Sequence, residues 1–367
     1  QTLVLPTKMM MSNGPFQKAL EDLGARVYAY HPDNKVFQLE APYAIVEKLA
    51  RLDWVHFIEP VLPITPDHDR STRQVAVDRV RSSTLMDGSS TIVGVLDSGA
   101  YMGSGGHQDL NKNGLGWNFN GGLGQVWNEA HGHGTHVLGT IGGTGTADNR
   151  YKGCAPAIGS TGTTRIFIGK IFGNSTVATY PNNTLSAFTT FHTNHSGGTP
   201  YPHVVNNSWG YGSRTTNGYP GTDNISLAVD TQSYNYNQLY CFSASNTGGS
   251  STVQYLKSIR RPNVAKNALT VASNVDYRFT VGSKTLEVGQ PYFSSGKGPT
   301  SDGRFKPNIM APGNSIRSCR TLTKSSYIGK SGTSMSTPHV VGIAAGMLDH
   351  ISTYKRRPYL AKARLAA

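Results

Sequence analysis

The sequence predicts an α/β chain in two parts. Residues 1–66 form a small ferredoxin-like α+β domain, 67–80 a linker, and 81–367 a larger domain built on a parallel sheet with helices on both faces. Three observations carry this reading. The first 66 residues alternate strand and helix patterns in the order βαββαβ. From about residue 72, short continuously apolar runs alternate with helical ones, as in a parallel sheet covered on both sides. Between the two lies PITPDHDRSTRQ, polar and bracketed by prolines near its start.

In the small domain TLVLP reads as a strand and FQKALEDLGA as a helix, with Phe16, Leu20 and Leu23 spaced i, i+4, i+7. RVYAYHP and KVFQLEAP are strands joined by the turn residues of HPDNK. YAIVEKLARLDWV repeats the helical spacing through Ile45, Leu49 and Leu52, and VHFIEPVLP closes as a strand. In the large domain the buried-strand runs are STIVGVLDS, TRIFIGKIF, PHVVNNSW, QLYCFSAS and NALTVAS. Chemistry in such sheets gathers at the carboxyl ends of the strands, and Asp97, Ser208 and Asn246 all fall where an apolar run stops.

Composition narrows the classes. With 15% charged residues and 42 glycines in 367, a turn-rich globule is expected. The net charge of +13 raises nucleic acid as a partner, but only modest basic clusters occur, at 70–81 and 354–364, without interleaved aromatics. A generally basic surface is the better reading. Three cysteines, Cys154, Cys241 and Cys319, define no disulfide framework, and Cys241 reads as a small buried hydrophobe. No apolar run reaches the ~20 residues of a membrane span. The opening QTLVLPTKMMM is not an intact signal peptide.

HGHGTH at 131–136 carries three histidines, which prompts a comparison between a metal site and a single catalytic imidazole. The segment KSGTSMSTPHVVGIAAGML (330–348) bears on that comparison. Ser334 opens a stretch of helical length, where unpaired N–H groups and the positive dipole end favour a developing oxyanion. Pro338 is expected within the first turn of that helix, and the small residues Gly342, Ala344, Ala345 and Gly346 let it pass through the core. A serine hydroxyl needs a base, and the base needs an orienting partner. His133 suits the first role and Asp97 the second, while Asn246 in SASNTGG is a candidate oxyanion donor.

IVGVLDSG, HGTHVLGTIGG and SGTSMSTPHV resemble the three active-site signatures of the subtilisin-like serine proteases, in that family's Asp, His, Ser order. HQDL, KGCAPA, NNSWG and SASN follow the family's landmarks in sequence, and FSSGKGPTSDGRFKPNIMAPG is similar to a branch of bacterial alkaline subtilases. The resemblance implies a subtilisin-like catalytic domain and a serine endopeptidase acting through Asp97, His133 and Ser334, with Asn246 in the oxyanion hole. His131 and His136 become bystanders, and no catalytic metal is expected. Ser208, Trp209 and Gly210 resemble the segment that, with Ala244 and Ser245, walls the primary specificity pocket and pairs with extended substrate.

Ser245 stands where the family usually has glycine, and VQYLKSIRRPN (253–263) is long and basic, which raises acidic substrate residues as an option. Calcium is common in the family, with Asp109 of HQDL and the TADN loop (146–149) as places for it. Residues 1–66 resemble a subtilase propeptide, an intramolecular chaperone and inhibitor. That implies a precursor, a chain nicked near 66–80 with both pieces still bound, or an enzyme that keeps the domain permanently, in each case secreted or at the cell surface and acting on proteins or peptides. Related subtilases often continue into a β-sandwich beyond a last helix like YKRRPYLAKARLAA. The alternative is a non-catalytic, partner-binding protein on a subtilase fold.

Overall fold

The computed structural model describes residues 2–6, 13–31, 36–60, 64–66, 74–75, 77, 86–119, 126–160, 162, 164–173, 186–188, 201–282 and 284–367. The small domain runs β1 (Thr2–Pro6), α1 (Asn13–Asp22), β2 (Arg26–His31), β3 (Val36–Glu40), α2 (Tyr43–Leu49) and β4 (Val55–Pro60). Its sheet order is β2-β3-β1-β4, each neighbouring pair antiparallel. This is the expected split-βαβ arrangement. The helical spacing read from the sequence faces this sheet. Leu20 and Leu49 are fully buried with Phe37 and Leu39, and Phe16, Leu23, Ile45 and Leu52 pack around them. The second helix stops at Leu49, so Leu52 reaches the core from a turn.

Ile64–Pro66 forms a short strand, β5, outside the small sheet. Residues 61–63 and most of the expected 67–80 linker lie outside the described residues.

The large domain continues with β6 (Val93–Asp97), β7 (Gly114–Asn118), α3 (His133–Gly142), β8 (Ile166–Lys170), β9 (Val204–Asn207) and β10 (Trp209–Tyr211). Then come α4 (Asn224–Asn235), β11 (Leu239–Ser243), β12 (Leu269–Asn274), the hairpin β13 (Phe279–Val281) and β14 (Lys284–Leu286), and β15 (Ile309–Pro312). The hairpin β16 (Ile316–Cys319) and β17 (Tyr327–Lys330) leads into α5 (Thr333–His350), and α6 (Pro358–Ala366) follows. Seven strands form one sheet, β15-β12-β11-β9-β6-β8-β7, parallel throughout. The five apolar runs all lie inside it. The two edge strands, β7 and β15, escaped the sequence reading because their residues are partly exposed and lack a continuous apolar run.

Successive residues of a strand face opposite sides, which divides the core in two. Val93, Val95, Ile166, Ile168, Val204, Leu239, Cys241, Leu269 and Val271 pack on the side of α3 and α5. Leu96, Phe167, Val205, Tyr240 and Phe242 pack on the side of α4. The central helix α5 passes close to its neighbours as expected: a Cβ on Gly342 would lie 2.5 Å from Cys154 Cβ, and one on Gly346 2.8 Å from the Met86 carbonyl oxygen. All three cysteines are buried, and none forms a disulfide.

Candidate active site

The site lies at the carboxyl ends of β6, β9 and β11, where the strand order reverses beside β6. Asp97 ends β6, and its Oδ1 stands 2.6 Å from His133 Nδ1 at the start of α3. Both side chains are fully buried. A carboxylate accepting there keeps the ring proton on Nδ1 and leaves Nε2 as an acceptor. Asp97 Oδ1 also accepts the Ser98 N–H at 2.8 Å. Burial raises the Asp97 carboxyl, and the Ser98 hydrogen bonds and His131 oppose the rise.

The neighbouring strand carries the next residues. Leu96 of β6 pairs with Asn207 of β9, which sets Ser208 beside the end of Asp97's strand. Ser208 and Ser334 clasp each other: Ser334 Oγ donates to the Ser208 carbonyl at 2.8 Å, and Ser208 Oγ donates to the Ser334 carbonyl at 2.7 Å. Pro338 explains the second bond. It lies in the second turn of α5 rather than the first, because the helix already begins at Thr333. Proline has no N–H to give the carbonyl four residues back, which is that of Ser334. The Ser208 hydroxyl fills the gap. Ser334 itself sits in the first turn of α5, after Gly332 at φ 141°.

Asn246 completes the group. Its Oδ1 accepts from the Thr333 N–H at 2.9 Å and from the Thr333 hydroxyl at 3.2 Å. That turns Nδ2 the other way, with no protein acceptor among the described residues. Asp97, His133, Ser208, Ser334 and Asn246 are thus gathered at the carboxyl end of the sheet from five separate stretches of chain.

The remaining candidates divide. Ala244 is buried, and Ser245 adopts φ 71°, the left-handed region in which the family's glycine is at ease. Its hydroxyl offsets the strain by donating to the Ser258 carbonyl at 3.0 Å and accepting the Arg260 N–H at 3.3 Å. The Trp209 side chain is a core residue against Phe188 and Phe242. Its backbone does something else: Trp209, Gly210 and Tyr211 pair antiparallel with Pro66, Thr65 and Ile64 of β5. A strand from the chain's own leading segment lies along β10.

One expectation needs correction. Arg260 and Arg261 are buried rather than presented to substrate, and Arg261 lies 4.8 Å over the rings of both Tyr211 and Tyr219. The histidines of HGHGTH do not converge. His136 Nε2 meets the backbone carbonyls of Ile316 and Ile328 at 3.1 Å, and the His131 ring stands edge-on to His133 at 6.0 Å. Among the described residues the one grouping able to share an ion is His107, Asp109 and Cys319.

That grouping does not fit calcium, which takes six to eight oxygen ligands. Asp109 Oδ1 already accepts the Ala147 N–H at 2.9 Å and Oδ2 the Tyr327 hydroxyl at 2.7 Å. His107 Nδ1 accepts the Asp109 N–H at 3.2 Å, and Asp148 of the TADN loop is held by Arg150. The sequence reading passed over Glu129, a fully buried carboxylate bonded to Ser98 and Thr135. Its signal was an acidic residue four positions before His133.

Residues 88–358 match the sequence profile of the subtilase family, Peptidase_S8. The chain belongs to the subtilase family. Among curated relatives, pyrolysin of Pyrococcus furiosus is 28% identical over 254 residues, covering 60% of this chain and 18% of its own length. The serine protease AprX of Bacillus subtilis is 28% identical over 287 residues, covering 75% of this chain and 60% of AprX. This subtilase therefore spans less than two thirds of the length of either relative. Among its described residues no helix is long and apolar enough to cross a membrane.

Proposed function

We propose that this subtilase is a serine endopeptidase in which Ser334, His133 and Asp97 form the catalytic triad. The observation that carries the reading is the 2.6 Å Asp97–His133 contact beside the strand end that clasps Ser334. His133 takes the Ser334 proton as Oγ attacks the peptide carbonyl, then gives it to the leaving amine. Asp97 holds the ring and stabilises the imidazolium. The tetrahedral oxyanion sits between the Ser334 N–H and Asn246 Nδ2, at the positive end of α5. Water, deprotonated by the same histidine, then releases the acyl group from Ser334.

Substrate pairs as an added strand on β10, whose main chain at Trp209–Tyr211 accepts β5 in that way. The same pairing makes the leading domain an intramolecular inhibitor, since β5 covers the edge that substrate needs. Substrates are proteins or extended peptides, and the setting is extracellular or cell-surface.

Intact-mass analysis after a fluorophosphonate probe tests the triad. One adduct is expected, and it is lost in Ser334→Ala. An adduct that survives the substitution overturns the assignment of the nucleophile. For the inhibitor role, Thr65→Pro removes a backbone N–H from β5 and is expected to speed labelling. An unchanged rate counts against β5 as the block.

A further inference from the structure

The mechanism above leaves one buried carboxylate of the site unused. Glu129 is fully buried and accepts hydrogen bonds through both oxygens. Oε1 takes the Ser98 hydroxyl at 2.9 Å and the Gly132 N–H. Oε2 takes the Thr135 hydroxyl at 2.5 Å and the Thr135 N–H at 3.4 Å.

Two of these donors are backbone groups at the start of α3, where first-turn N–H groups have no partner within the helix. The N-cap residue is Gly132, which has no side chain to supply one. Glu129 therefore caps the helix that begins with His133, and its charge faces the positive helix end.

Its other partner belongs to the turn after β6. The Ser98 hydroxyl, besides meeting Glu129, lies 3.3 Å from Asp97 Oδ1 and accepts the Gly134 N–H at 2.9 Å. The Thr135 hydroxyl accepts the Tyr101 N–H at 2.8 Å. One carboxylate thus holds both sides of the Asp97–His133 contact: the 97–101 turn on one side, residues 132–135 on the other. Burying a second carboxylate beside Asp97 is unfavourable in itself, since desolvation and the neighbouring charge both oppose ionisation. The charged groups acting on it are Asp97 from β6 and Lys170 from the end of β8. An apolar residue would fill the space without that penalty but would hold none of the four donors.

We propose that Glu129 is a positioning residue, whose carboxylate clamps the start of α3 to the Asp97–Ser98 turn and so sets the His133 ring against Asp97. The proposal rests on the reading of Asp97, His133 and Ser334 as the triad.

The test is Glu129→Gln in the full chain. Glutamine keeps the length but has a single acceptor oxygen, so its amide meets the donors of either Thr135 or the Ser98–Gly132 pair. A displacement of about 1 Å at a reacting group costs on the order of 100-fold. Accordingly kcat should fall about 10- to 100-fold, with KM within about threefold. The rate of fluorophosphonate labelling at Ser334 should fall by the same factor. The downfield proton resonance of the His133 Nδ1–H should shift or broaden, while circular dichroism shows a folded chain.

Wild-type kcat with an unmoved resonance overturns the proposal. So does a loss of activity that only tracks the fraction unfolded. Should Glu129→Gln fail to fold, Ser98→Ala decides, because it cuts the bridge and leaves Glu129 in place. It should lower kcat several-fold without changing KM, and an unchanged kcat and resonance overturn the clamp. Failure of the triad itself is read separately, as a wild-type chain whose labelling is indifferent to Ser334→Ala.

Discussion

Replacing Gly134 by alanine sets two physical effects against each other next to His133. Helix propensity favours alanine over glycine by up to about 1 kcal/mol in α3. The tertiary structure says the reverse. A Cβ at Gly134 would stand 2.0 Å from the Gly99 carbonyl oxygen and 3.2 Å from Asp97 Cβ. Real Cβ atoms essentially never come under 3.0 Å, so the helix start and the 97–101 turn must separate by about 3.0 − 2.0 = 1 Å. Neither side is a flexible side-chain end, and all of α3 is buried. The movement opens the 2.6 Å Asp97–His133 hydrogen bond and pulls the Gly134 N–H from Ser98.

Overpacking of this kind costs about 1–3 kcal/mol, and a 1 Å misplacement costs on the order of 100-fold in rate. The assay is peptide hydrolysis, normalised to phosphonate-titratable sites, together with the thermal midpoint. Gly105→Ala serves as control, since nothing lies within 4 Å of its Cβ position. It should leave activity unchanged. A Gly134→Ala chain with activity within threefold of wild type and an unlowered midpoint would refute the packing argument.

Other substitutions read other parts of the site. Asn246→Ala should lower kcat by about 100- to 1,000-fold with little change in KM, a size taken from the corresponding donor of subtilisin itself rather than worked from this chain; a loss under tenfold sinks the oxyanion role. At Ser245, alanine keeps the left-handed φ and loses the hydroxyl bonds, whereas glycine sheds the strain, so Ser245→Gly should be more stable than Ser245→Ala by about 1–2 kcal/mol in chemical denaturation. The opposite order would mean that the backbone there is not strained. Burial lowers His203 to about 3, and its Nδ1 accepts the Ile92 N–H at 3.0 Å, so the ring must stay neutral in the folded chain. The unfolded state then binds the extra proton, and stability falls as pH drops from about 6.5 towards 3. His203→Asn keeps an acceptor without titrating and should flatten that part of the stability–pH curve; an identical curve excludes the histidine as the cause. With both Asp109 oxygens occupied by protein donors, a chelator should shift the thermal midpoints of wild type and Asp109→Asn equally. A chelator response present in wild type and lost in Asp109→Asn would make Asp109 a calcium ligand after all.

By itself the sequence determined what short-range pattern can specify. Continuous apolar runs gave the five inner strands of the large sheet, because strands covered on both faces need no polar alternation. Helical spacing gave the packing faces around Leu20 and Leu49. Resemblance to the family's signatures, in the order LDSG, HGTH and GTSMSTP, singled out Asp97, His133 and Ser334 as the proposed triad. Edge strands β7 and β15 carry no such pattern, being half exposed. Only the tertiary structure decided the rest, because the partners are distant in the chain. Pro338 announces a missing N–H, but its compensating donor is Ser208, 126 residues from the carbonyl it serves. The basic letters of Arg260 and Arg261 look like surface charge until the burial of both, and the stacking of Arg261 on two tyrosine rings, is known. A polar connector hides a three-residue strand laid on β10, and one glutamate in a loop holds both sides of the Asp97–His133 contact. Such pairings depend on where backbone groups converge after folding, a three-dimensional property that no local spacing encodes.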